Sequence, residues 1–105
     1  MAELSVIAHP YAQALFNIAK QQKSEKLWLE TLSELQQITI NQDFASILNN
    51  PKVDDLEIMS IIKTVLKNNA SQEVMNFIKV LVENNRILVL DEIYQIFREL
   101  ILEDQ

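Results

Sequence analysis

The side chains that most often carry out chemistry are sparse in this chain. It has one histidine, His9, and no cysteine, so thiolate chemistry and multi-histidine metal motifs are excluded. Glu30 and Glu34 share a face of a predicted helix, which could form a paired-carboxylate site. We interpret that pair as a solvent-exposed face, and Asp54-Asp55 as a helix start, since no third chemical group accompanies either. The serines lack the glycines that a nucleophile turn needs. No catalytic, cofactor-binding or metal-binding residue is therefore predicted.

The composition instead indicates an all-α fold. Glycine is absent, so Asn-Gly hairpins and glycine-rich phosphate loops are unavailable, and mostly good helix formers dominate. A net charge of −6 argues against nucleic-acid binding. No apolar run approaches the roughly 18 residues of a membrane-spanning helix, so we expect no direct membrane insertion. The first residues also lack the basic and apolar regions of a signal peptide.

Helix start and stop signals predict a compact bundle of six helices, one of them short. Helix 1 covers about 5–21 and helix 6 runs from about 91 to the end. Helices 2 to 5 begin at capping residues and end before stop signals; they span about 24–40, 41–49, 54–68 and 71–84. Pro10 is best tolerated in a first helical turn, so helix 1 either begins near Ser5 and bends, or begins at His9. We expect Val65 in the core stripe of helix 4, and the left-handed position after helix 5 at Asn84 or Asn85.

Two of these helices have more apolar surface than one buried seam requires. The apolar arc is about 200° wide on helix 1 and about 220° on helix 5, whereas a surface helix needs about 100°. One explanation is that both helices are central in the bundle. The other is that their outer faces form a groove for an amphipathic partner helix. Tyr11 and Trp28 could be core residues or interface anchors, and aromatic anchors such as Tyr11 and Phe77 could carry much of the energy in such a groove.

Two segments resemble the F-type ATP synthase delta subunit family, which includes the mitochondrial oligomycin sensitivity-conferring protein. The first is His9-Pro10-Tyr11-Ala12-Gln13-Ala14-Leu15-Phe16-Asn17-Ile18-Ala19. The second is the apolar run from Phe77 that ends in Glu83-Asn84-Asn85-Arg86. The position of Trp28 and the Asn50-Pro51 stop are similar too. His9 stands where the family usually has arginine, and Asn85 where a glycine or a small polar residue is common.

The resemblance implies a non-catalytic stator subunit with no cofactor, at the crown of the catalytic head. Helices 1 and 5 would bind the N-terminal helix of an alpha subunit, and a second, C-terminal domain would contact the peripheral-stalk b subunits. The expected location is the cytoplasmic side of the bacterial inner membrane, as a peripheral protein. Residues 91–105 hold five acidic residues against Arg98 alone, which is either a frayed tail or a sign that residues 1–105 are one domain of a longer chain.

Within this resemblance we expect a specific lining for the alpha-subunit site. The predicted residues are Ile7, Tyr11, Ala14 and Ile18 from helix 1, with Met75, Ile78, Lys79 and Val82 from helix 5. Lys79 could meet an acidic residue of the partner, although a solvated lysine is the simpler interpretation. Phe16 and Ala12, on the far side of the helix 1 arc, would be its buried half.

Two other classes of protein are also compatible with a small helical chain. A death-domain-like adaptor also has six helices, but such modules often pair through charged patches, and their complexes weaken with salt. A small helical enzyme or ligand carrier would need a closed internal cavity, and the sequence offers no catalytic set to place beside one.

Overall fold

A computed structural model describes residues 2–104, with side chains from residue 4 onward. Over this range the chain forms six α-helices and two short 3-10 helices, with no strand, which confirms the predicted fold class. The α-helices are α1 (Ala2–Gln22), α2 (Glu25–Thr39), α3 (Gln42–Leu48), α4 (Asp55–Leu66), α5 (Gln72–Glu83) and α6 (Leu90–Asp104). The 3-10 helices, Lys67–Asn69 and Ile87–Val89, precede α5 and α6.

Three helix starts are fixed by the side chains that the sequence indicates. Asn41 Oδ1 accepts hydrogen bonds from the backbone N–H groups of Asp43 and Phe44 at the start of α3. Asp54 Oδ1 accepts from the N–H of the third following residue at 2.9 Å, and Ser71 Oγ does the same at 3.2 Å. Each side chain satisfies a backbone donor that has no partner within its own helix, so local sequence is sufficient to place these boundaries.

The join between α1 and α2 differs in one respect from the prediction that Ser24 caps α2. Lys23 has a positive φ of 55°, and the N–H of Ser24 donates to the carbonyl of Ala19 at 2.8 Å. These two features close α1 in a Schellman arrangement. Ser24 has φ −119° and ψ 25°, its side chain makes no cap hydrogen bond, and its Oγ is buried without a partner. Ser24 therefore occupies the N-cap position of α2, as predicted, but its side chain makes no cap hydrogen bond, since its backbone is not in the extended conformation of a capping residue.

A second Schellman arrangement ends α5, at the residue pair that the sequence indicates. Asn85 has a φ of 57°, and the N–H of Arg86 donates to the carbonyl of Leu81 at 2.7 Å. Asparagine tolerates the left-handed region better than most residues, which explains how a chain without glycine makes this stop.

Helix α1 is continuous through Pro10, which lies in its interior. Proline has no N–H, so the carbonyl of Val6 four residues earlier receives no intrahelical hydrogen bond. Both side chains are exposed, which places this defect on the solvent side of the helix, where water can satisfy the carbonyl. Of the two alternatives for the helix start, the structure therefore agrees with the earlier one and extends it to Ala2.

The main packing partner of α1 is α6, and the two helices run in the same direction. Three contacts advance together along both helices: Ser5 with Glu92, Phe16 with Phe97, and Lys20 with Asp104. The stripe of α1 that faces the core consists of small residues and one leucine, all with 4% exposure or less: Ala8, Ala12, Leu15 and Ala19. Small side chains let helix axes approach closely, so this stripe holds α1 tightly in the bundle.

The remaining helices complete the core around α2. Leu32 and Leu35 of α2 are fully buried, as are Ile62 of α4, Ile78 of α5 and Phe97 of α6. Val65, which the sequence predicts to lie in the core stripe of α4, is instead 48% exposed. The prediction that Val65 lies in the core is wrong, since α4 rotates the stripe through Ile58, Ile62 and Leu66 inward instead.

Candidate functional site

A groove of about 330 Å³ lies between α1 and α5. We call it the α1–α5 groove and define it by its nine lining residues. They are Tyr11, Ala14, Leu15, Ile18, Trp28, Glu73, Asn76, Phe77 and Val80. Seven of the nine are predominantly apolar, which is the surface that an amphipathic helix needs in order to bury its apolar face.

The groove exists because its two walls have different packing partners. Helix α1 packs chiefly against α6, whereas α5 packs chiefly against α4. Trp28 of α2 lies between them, only 4% exposed, and its ring meets Phe77 edge-on with centroids 6.0 Å apart and planes at 89°. Edge-to-face contacts of this kind add to the stabilisation from burial, so the two rings fix the base of the groove and the position of α5.

Each wall presents its side chains at helical spacing. Tyr11, Ala14 and Ile18 of α1 are separated by three and four residues, as are Glu73, Phe77 and Val80 of α5. Residues three and four apart form a ridge along one helix face, so two ridges border the groove. Ile18 is 40% exposed and Val80 is 45% exposed, and such half-open apolar side chains can still lose water on contact with a partner.

The structure brings three of the four predicted α1 residues to this groove, Tyr11, Ala14 and Ile18. The fourth, Ile7, is half-buried and is not among the residues that line the groove. Ala12 on the opposite side of the helix is fully buried, and Phe16 packs edge-on against Phe97 with ring centroids 6.4 Å apart. The division of α1 into a buried half and a groove half therefore agrees with the geometry that the sequence predicts.

The residues that α5 contributes to this groove differ from those expected to line the alpha-subunit site. Ile78 is fully buried and Val82 is 4% exposed, so neither has surface left for a partner. Met75 is half-buried and Lys79 is exposed, and neither is among the residues that line the groove. The broad apolar arc of α5 has two edges, and packing against α4 leaves the opposite edge, with Phe77 and Val80, open to the groove.

Four of the nine lining residues are neither predicted to line the alpha-subunit site nor considered as aromatic anchors. They are Leu15, Glu73, Asn76 and Val80. The spacing of Glu73, Asn76 and Val80 around Phe77 is visible in the sequence as one face of α5. Choosing that face over the other requires knowing where α4 packs. Trp28 is visible as an anchor, but its place at the base of the groove depends on how α2 packs.

A second and larger cleft, of about 490 Å³, lies on the side formed by α2, α3 and α4. We call it the α2–α4 cleft. Its apolar lining is Ile38, Phe44, Ile47, Ile61 and Val65, and its rim holds polar residues that include Glu34 and Asp43. The sequence indicates no function for this cleft. It is the alternative binding site against which binding at the α1–α5 groove can be compared.

The groups considered for chemistry have ordinary surroundings. Glu34 accepts a hydrogen bond from Asn69 Nδ2 at 2.6 Å, and Glu30 and His9 are exposed. Among the side chains of residues 4–104, no three His, Cys, Asp or Glu groups lie so that they could hold a metal ion. Within the same range, no helix has the length and apolar character required to cross a bilayer.

These features define a class: an all-helical module with an apolar groove between α1 and α5 and an apolar cleft on the side of α2, α3 and α4. Comparison with known proteins gives the family. The family described as ATP synthase delta (OSCP) subunit matches residues 7–105, and the chain belongs to that family. The delta subunit is a structural subunit of the ATP synthase complex and is not catalytic by itself, and this membership gives no support to the death-domain-like alternative.

Individual relatives agree with this assignment. The chain is 42% identical over 100 residues to the ATP synthase subunit delta of Janthinobacterium sp. (strain Marseille). It is 41% identical to that of Herminiimonas arsenicoxydans and 37% identical to that of Cupriavidus pinatubonensis. Each match covers 95% of this chain and 56% of the relative. The chain thus spans about half the length of the curated relatives it matches.

Proposed function

We propose that this chain is a stator component of an F-type ATP synthase. In this role it binds the N-terminal helix of an alpha subunit and so links the catalytic alpha/beta head to the peripheral stalk. The link prevents the head from turning with the central shaft, so that proton-driven rotation is converted into ATP synthesis. The observation that carries the proposal is the α1–α5 groove in a chain of the delta family.

The groove supports this role because holding a partner requires apolar contact and no reaction. Tyr11, Ile18, Phe77 and Val80 offer apolar area on both walls, and aromatic side chains frequently carry much of the energy at such interfaces. Ala14 has the smallest side chain of the lining, which lets the backbone of the bound helix approach α1. The alpha-subunit site of this proposal is therefore Tyr11, Ala14, Ile18, Phe77 and Val80, without Ile78 and Val82.

Two further parts of the proposal follow from the family alone. We assign residues 1–105 to an N-terminal six-helix domain, and we assign contact with the peripheral-stalk b subunits to a separate C-terminal domain. The protein would then sit at the cytoplasmic side of the bacterial inner membrane as a peripheral component, without inserting into the bilayer.

The direct experiment is a titration of this chain with a peptide of the alpha-subunit N-terminal segment from Janthinobacterium sp. (strain Marseille). Val80 in the groove is 45% exposed, and Val65 in the α2–α4 cleft is 48% exposed, so Val80→Ala and Val65→Ala form a matched pair. Removing two carbons of which slightly under half becomes newly buried on binding costs about 0.7 kcal/mol, which corresponds to about threefold in Kd.

We expect Val80→Ala to weaken peptide binding about threefold and Val65→Ala to leave the Kd unchanged. The reverse pattern would move the site to the α2–α4 cleft. An absence of binding by the unsubstituted chain would contradict the proposed function itself.

A further inference from the structure

The polar groups of the α1–α5 groove are unevenly distributed. Its α5 wall carries Glu73 and Asn76, one helical turn apart, whereas the α1 wall offers only apolar side chains and the hydroxyl of Tyr11. No lysine, arginine or histidine is among the nine lining residues. The groove therefore has one formal charge, and that charge is negative.

From this asymmetry we infer that the bound helix carries a basic residue that pairs with Glu73, and that this pair fixes the register of the helix in the groove. The inference rests on the proposed function, since it concerns the same groove. The sign is opposite to the contact considered for Lys79 with an acidic residue of the partner, and Lys79, for which a solvated lysine is the simpler interpretation, does not line the groove.

The neighbouring charges leave Glu73 available for a partner. Glu73 is exposed and has no salt bridge within 4.0 Å among the described residues. Lys20, the one lysine or arginine of α1, is paired with Asp104 at 2.8 Å and lies over the ring of Phe16. A basic side chain of the bound helix would thus neutralise the charge of Glu73 on the α5 wall.

Asn76 adds a second directional contact. Its Oδ1 accepts a hydrogen bond from Gln72 Nε2 at 2.9 Å, which leaves the two N–H donors of its amide for other partners. Asn76 can therefore donate to a carbonyl or hydroxyl of the bound helix beside the charge pair. The two contacts together distinguish one end of the α5 wall from the other.

The spacing on α5 sets the expected pattern in the partner. Glu73 and Val80 are seven residues apart on α5, which is about 10 Å along the helix axis. A helix that lies along α5 would place its basic residue about two turns from the apolar side chain that contacts Val80. Sliding the partner by one turn would separate the charge from Glu73, so the pair opposes binding in the wrong register.

The test neutralises single charges on both partners. Glu73→Gln is compared with Glu83→Gln, an exposed residue of the same helix that is not part of the groove lining. Each basic residue of the same alpha-subunit peptide is replaced by glutamine in turn. We expect Glu73→Gln to raise the Kd about two- to fivefold at low salt, with the effect reduced at high salt because the pair is screened.

One basic position of the peptide should lose its contribution when Glu73 is already neutral, which gives non-additive effects in a double-mutant cycle. Equal effects of Glu73→Gln and Glu83→Gln, or additive effects at every peptide position, would overturn the inference. If Val80→Ala still weakens binding in that case, the groove stands and only the charge pair is wrong. If the unsubstituted chain does not bind, the proposed function fails instead.

Discussion

Ala12 and Ala14 of α1 are two residues apart and point in different directions, and this difference makes a sharp prediction. Ala12 is fully buried in the core stripe of α1, whereas Ala14 is exposed on the wall of the α1–α5 groove. The same substitution by leucine adds three carbon atoms at each position. It should damage the fold at the first position and partner binding at the second.

The magnitudes follow from the two environments. At Ala12 the added atoms must enter a close-packed interior, which costs about 1–3 kcal/mol, and each kcal/mol lowers Tm by about 4–8 °C in a domain of this size. At Ala14 the added atoms extend into solvent, so the free energy of unfolding should change by about 0.5 kcal/mol or less. There they occupy space that the bound helix requires, and a similar overpacking cost predicts about 5- to 150-fold weaker binding.

The assays are thermal unfolding followed by circular dichroism and titration with the alpha-subunit peptide. Ala12→Leu should unfold at a clearly lower temperature than the unsubstituted chain. Ala14→Leu should unfold at the same temperature and bind the peptide weakly. Equal loss of stability in both variants would mean that the orientation of α1 is wrong, and full binding by a folded Ala14→Leu variant would refute the groove.

Two further predictions concern the helix ends. Ser71→Ala should lower the free energy of unfolding by about 1 kcal/mol, because it removes the cap bond to the N–H of Val74. Ser24→Ala should leave the free energy of unfolding unchanged or raise it, because the Ser24 Oγ is buried without a partner. Chemical denaturation of both variants compares them, and an equal loss of stability would show that the Ser24 side chain does cap α2. Lys23→Gly should raise the free energy of unfolding by up to about 1 kcal/mol, because Lys23 has a φ of 55° that glycine adopts without steric cost. A lower denaturation midpoint for this variant would contradict the left-handed backbone conformation of Lys23.

Much of the fold could be predicted from the sequence because its signals are local. Asn41, Asp54 and Ser71 each act on a backbone donor two or three residues away, and Asn85 stops α5 with its own backbone. Ser24 shows the limit of such reasoning. Serine is a common capping residue, but the backbone N–H of Ser24 already donates to the carbonyl of Ala19 at the end of α1.

The candidate site depends on tertiary packing and was therefore only partly predictable. Tyr11, Ala14 and Ile18 follow from the width of the apolar arc on α1. For α5 the arc has two edges, and only the position of α4 decides that Ile78 turns inward while Val80 stays accessible. The base of the groove is still less visible, because Trp28 reaches it from a third helix.

The most direct test of the central claim is to map where the alpha-subunit peptide binds on this chain. Backbone amide resonances of the isotope-labelled protein would be followed by NMR as the peptide is added. We expect the largest shifts along the α1–α5 groove, at Tyr11, Ala14, Ile18, Phe77 and Val80, with little change at Phe44 and Val65. Shifts concentrated in the α2–α4 cleft, or no shifts at saturating peptide, would contradict that claim.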